Sequence, residues 1–111
     1  MRYVTDTPDK WVMIKIEHES IQEPIYKVFA SWAGGYITED KWKLNSGVFK
    51  VEEDDKYFYF KGFSGSIYKC NKESYGVANS FSEGILFNNI LGKDGIELLE
   101  EDTDFINIIN K

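Results

Sequence analysis

The chain has 111 residues, 42% hydrophobic and 16% aromatic, and a formal net charge of -6 from 19 acidic against 13 basic side chains. That length supports one hydrophobic core and not two, so residues 1–111 are read as a single domain. The acidic balance repels phosphate backbones, and Arg2 is the only arginine, which removes bidentate readout of bases and disfavours nucleic acid as a partner.

Cys70 is the only cysteine, so no intramolecular disulfide and no cysteine-rich zinc site can be assembled. The first ten residues are polar and lack the apolar core of a secretion signal, and no stretch approaches a membrane span. The expected location is the cytoplasm, away from membranes.

Residues 1–10 read as a lead-in interrupted by Pro8. A β core is expected over residues 11–70. In Trp11–Glu17, Val12, Ile14 and Ile16 alternate with Lys15 and Glu17, the pattern of a half-buried strand. Ile25–Trp32 alternates in the same way and gives a second strand. Gly34-Gly35 then breaks the pattern, and a loop of roughly ten residues carrying Tyr36 and Trp42 is expected before Leu44. Asn45-Ser46-Gly47 is turn chemistry. The next strand, Val48–Glu53, should place Phe49 and Val51 on one side. Tyr57–Lys61 is nearly all aromatic, as in a strand covered on both faces, and Ile67–Cys70 follows the turn Gly62–Ser66.

About five short antiparallel strands with tight turns predict a mainly β, α+β domain, curled into a small barrel-like sheet of SH3-like or similar form. Residues 71–111 change character. Ser80-Phe81-Ser82-Glu83 matches a capping box, and a helix is expected from about 80 to 91 with Gly92 as a left-handed cap. Ile96–Leu99 reads as a strand or a helical turn. Asp102 or Thr103 could cap a last short helix that places Phe105, Ile108 and Ile109 together.

Chemistry-bearing groups are sparse. His18 is the only histidine and reads as a solvated strand-end residue, and Cys70 as a small buried hydrophobe. Gly62–Ser66 lacks the lysine and the helix of a phosphate loop. The carboxylates at 52–55 and 97–104 lack calcium-loop spacing. No catalytic residue, cofactor or metal is expected. The recognition candidates are the aromatics Trp32, Tyr36 and Trp42 around the glycine break, because tryptophan and tyrosine dominate binding hot spots. For a small-ligand pocket at the barrel mouth, Tyr68 with Ser64 and Ser66 are the polar contacts.

The segments Trp42-Lys43-Leu44-Asn45-Ser46-Gly47 and Ser64-Gly65-Ser66-Ile67-Tyr68-Lys69-Cys70, with an aromatic strand between them, resemble small accessory proteins of T4-like tailed bacteriophages. The likeness spans roughly residues 11–76. It implies expression in the cytoplasm of an infected bacterium and a non-enzymatic role on a host or phage protein. The alternative is a nucleotide-like ligand bound at the barrel mouth. A homodimer is left open.

Overall fold

The computed structural model describes residues 4–33 and 41–110. The strands are β1 (Lys10–Ile16), β2 (Ile25–Trp32), β3 (Lys41–Leu44), β4 (Val48–Glu53), β5 (Tyr57–Gly62), β6 (Ile67–Asn71) and β7 (Ile96–Leu98). They form one antiparallel sheet in the order β6-β5-β4-β2-β1-β7, with β3 also paired to β2. Helix α1 (Ser80–Gly84) continues into a π-helical segment (Ile85–Ile90), and α2 (Phe105–Ile109) lies near the end of the chain. No helix among the described residues is long and apolar enough to cross a membrane.

The expected mainly β architecture is present, with seven strands among the described residues, but the sheet is not closed into a barrel. Between β6 and β1 there is no strand ladder. The lead-in segment pairs with β6 at Asp6↔Tyr68, and β1 pairs with the segment after β6 at Trp11↔Tyr75, both as isolated parallel bridges. Thr5 N–H donates to Ile67 O at 2.9 Å, Lys69 N–H to Asp6 O at 2.9 Å, and Gly76 N–H to Trp11 O at 2.8 Å. Residues 4–9 are thus tied into the fold, where composition had suggested only a polar lead-in.

Strand β1 is buried on both faces, not half-buried. Trp11 and Met13 join Tyr26, Val28, Phe60 and Phe105 in one core, while Val12 and Ile14 join Phe29 and Leu86 in another. Four consecutive apolar residues fit a central strand packed above and below better than the alternation of an edge. Helix α2 covers the first core with Phe105, and the α1–π segment covers the second with Leu86.

The helical region starts near the expected place with different caps. Asn79, not Ser80, is the N-cap: its Oδ1 accepts from Ser82 N–H at 2.8 Å while its Nδ2 donates to Trp32 O at 3.0 Å. Asparagine can do both at once because its amide carries a separate acceptor and donor. Past Gly84 the hydrogen bonding widens, as in Leu91 N–H to Leu86 O at 2.8 Å. Ile85 and Ile90, and Leu86 and Leu91, are spaced by five and all pack on the second core, a repeat that suits the wider turn. Phe81, in α1, stands exposed, and Gly92 does not adopt the positive φ expected of a left-handed cap. Asp104 caps α2 in place of Asp102 or Thr103, with Oδ1 accepting from Asn107 N–H. Phe105, Ile108 and Ile109 do gather on the first core, as expected.

Tyr75 joins β1 to the segment after β7. Its hydroxyl accepts from Met13 N–H at 3.0 Å and donates to Leu99 O at 2.6 Å. Burial pushes this phenol up to about 12, and burial followed by the nearby Asp6 charge pushes Tyr68 up to about 12 as well, from an ordinary 10. Both groups hold in the folded state a proton that the unfolded chain releases. Their contribution to stability is complete below about pH 10 and is lost as pH rises toward 12. Alkaline titration should therefore show phenolate absorbance from these two residues appearing together with loss of the β-sheet circular dichroism signal, and Tyr75→Phe should cost about 1–3 kcal/mol by stranding the Met13 amide.

Ser82 Oγ is buried without a hydrogen-bond partner among the described residues. Ser82→Ala should accordingly leave stability unchanged or raise it by up to about 1 kcal/mol, while Asn79→Ala should lower it by about 1–2 kcal/mol, both read from urea unfolding midpoints.

Candidate functional site

Two turns meet at one corner of the molecule, and they belong to the two segments that the sequence singled out. The first, Asn45-Ser46-Gly47, joins β3 to β4; the second, Phe63–Ser66, joins β5 to β6. Phe63 N–H donates to Gly47 O at 2.9 Å. The Ser46 hydroxyl accepts from Ser64 N–H at 3.0 Å and donates to Ser64 Oγ at 3.1 Å.

Asn45 makes this corner compatible with the sheet. β2 pairs with β3 as far as Phe29↔Leu44 and with β4 at Tyr26↔Val48, so Val28 falls where one partner strand gives way to the next. Asn45 fills the interval: its N–H donates to Val28 O at 3.1 Å, and its side-chain Oδ1 accepts from Val28 N–H at 2.8 Å. An orphaned main-chain amide at this buried position would cost about 1–3 kcal/mol.

Strand β4 then bulges. Val48 pairs with Gly62 and Lys50 with Lys61, which leaves Phe49 as the extra residue. The bulge resets the alternation, so that Val48 and Val51, three apart, are both buried while Phe49 turns outward. This corrects the expectation that Phe49 shares a side with Val51. Phe49 is 51% exposed and Phe63, on the second turn, 66% exposed; their ring centroids lie 5.7 Å apart. Pro24, Tyr26, Ile108 and Ile109 line a groove of about 290 Å³ beside them. Asn110 holds α2 against this groove, its side-chain amide accepting from Val51 N–H at 2.9 Å and donating to Val51 O at 2.7 Å.

Leaving a phenylalanine in water forgoes up to about 1.5–3 kcal/mol of burial. Here two stand side by side on a corner held by main-chain hydrogen bonds. Phe81 and Phe87 are also exposed, but neither has a ring partner among the described residues.

The residues named from the sequence are distributed differently. Trp32 packs on the first core, donates Nε1–H to Thr7 O at 3.0 Å and lies under Lys41 Nζ at 4.6 Å. Trp42 is on β3, where a loop was expected, and stacks on Phe29 at 5.5 Å with 36% exposure. Because Trp32 pairs with Lys41 and Ser31 with Trp42, the two indoles point to opposite faces of the sheet and do not share a surface. Tyr36 lies outside the described residues. Tyr68 is in the first core, 4% exposed. Cys70 is buried and its thiol pushed well up by that burial. His18 is confined to its own turn, with Nδ1 accepting from Ser20 N–H at 3.1 Å. Among the described residues no three His, Cys, Asp or Glu side chains converge as metal ligands.

No family model matches the chain, and neither the curated proteins nor the solved structures provide a match.

The corner also explains Gly47. Its φ is +122°, and a Cβ there would meet Phe63 Cδ2 at 2.8 Å. Gly47→Ala should destabilise by about 1–3 kcal/mol, and Phe63→Ala in the same chain should recover part of that loss in a double-mutant cycle read by urea unfolding.

Proposed function

We propose that the chain is a non-enzymatic binding module that docks on another protein through the Phe49–Phe63 corner. The observation that carries this reading is the pair of adjacent exposed rings on a corner fixed by Asn45, Ser46 and Ser64. Phenylalanine is enriched in interface cores, and a preset pair loses little freedom on binding. The groove beside the rings can receive an apolar side chain of the partner.

The resemblance of both turn segments to small accessory proteins of tailed bacteriophages supports a host or phage protein as that partner. It does so as an analogy between proteins, independent of the surface argument. A nucleotide-like ligand has less in its favour, since Tyr68 is buried and the Ser64 main chain and hydroxyl are both engaged with Ser46.

Replacing Phe63 with a photoreactive phenylalanine analogue, in cells that express the chain naturally, should yield one discrete protein adduct. The adduct should disappear when Phe49→Asp is added, and the same probe at Phe81 should give none. Phe49→Asp should leave stability within about 0.5 kcal/mol, because the ring faces water in the free chain. Equal labelling from positions 63 and 81, or none from either, would remove the docking assignment.

A further inference from the structure

The same corner holds a polar group that docking does not use. Asn45 is buried, and the Val28 N–H bond to Oδ1 fixes which end of its amide is nitrogen. That leaves Nδ2, a donor with two hydrogens, without a hydrogen-bond partner among the described residues. A buried donor in this state calls for an acceptor.

The surroundings of Nδ2 are polar. A Cβ built on Gly62 would meet Ser66 Oγ at 2.8 Å, Ser46 Oγ at 3.2 Å and Asn45 Nδ2 at 3.4 Å. Three polar atoms from two turns therefore converge over the bare Cα of one glycine. Gly62 is not among the glycines with positive φ, so its backbone is open to other residues and only the space beside it demands glycine. The Ser46 hydroxyl has given its proton to Ser64 Oγ and accepts from Ser64 N–H, which leaves it able to accept once more.

We propose that the notch over Gly62 is a binding site for one ordered water molecule. The water accepts from Asn45 Nδ2 and donates to Ser46 Oγ and Ser66 Oγ. Three hydrogen bonds are the usual complement of a buried water, and each of these partners is a group able to make its bond. The water joins the β3–β4 turn to the β5–β6 turn. It is a structural ligand of the corner, independent of what docks outside.

A high-resolution crystal structure should show one water within hydrogen-bond distance of all three atoms. Nuclear Overhauser measurements should show the Asn45 side-chain amide protons in contact with a long-lived water. Gly62→Ala should abolish that contact and lower the melting temperature; because this variant could fail to fold, Ser66→Ala serves as the second, expected to weaken the contact in a folded chain. Nδ2 bonded directly to Ser46 or Ser66 with no water between them would overturn the proposal, as would a water contact unchanged in Ser66→Ala. Neither result bears on photo-crosslinking from Phe63, so the two readings fail separately.

Discussion

Val28 must find partners for both its main-chain groups at the point where β2 passes from one neighbouring strand to the next. The sheet solves this with Asn45, whose backbone and side chain together stand in for a strand. Without that substitution β3 could not stop and β4 could not begin beside the same strand. From the branch follow the tight turn at Ser46-Gly47, the bulge that everts Phe49, and the docking of the β5–β6 turn against it. The exposed corner is thus a by-product of a hydrogen-bonding constraint deep in the sheet.

Period-two alternation made β1 and β2 legible, an unbroken aromatic run marked β5, and turn residues on either side marked β4 and β6. β3 was hidden because it is only four residues long, too few for a period to register, and lies in a segment read as a loop. The two-sided burial of β1 could have been read from Trp11-Val12-Met13-Ile14, an unbroken apolar run, had its continuity outweighed the alternation after it. The helical segment showed through its apolar residues, but not its change of winding, because spacings of three to five fit both an α-turn and a wider one.

The site was less legible than the fold. Aromatic content pointed to Trp32 and Trp42, and strand register separates them onto opposite faces. Phe49 was placed on the same side as Val51 because a bulge shifts alternation by one residue and leaves no mark in composition. The available signal was the spacing of Val48 and Val51 right after a glycine turn, three positions apart where a regular strand would need two or four. Phe63 offered another: a large apolar side chain between Gly62 and Ser64, in a segment otherwise made of small turn residues.

The N-terminal segment pairs with β6 at Asp6↔Tyr68, and β1 lies between β2 and Ile96–Leu98. One flank of β1 pairs with β2, which follows it directly, while the other waits for Ile96–Leu98, which emerges from the ribosome much later. Only the hairpin with β2 is available in the meantime, with two apolar faces uncovered. Synthesis is the slower step, at about 5–20 residues per second, whereas such non-local topologies assemble over milliseconds to seconds once the whole chain is present. The nascent protein thus passes through an interval in which the β1–β2 ribbon carries apolar side chains on both faces before the segments that cover them exist.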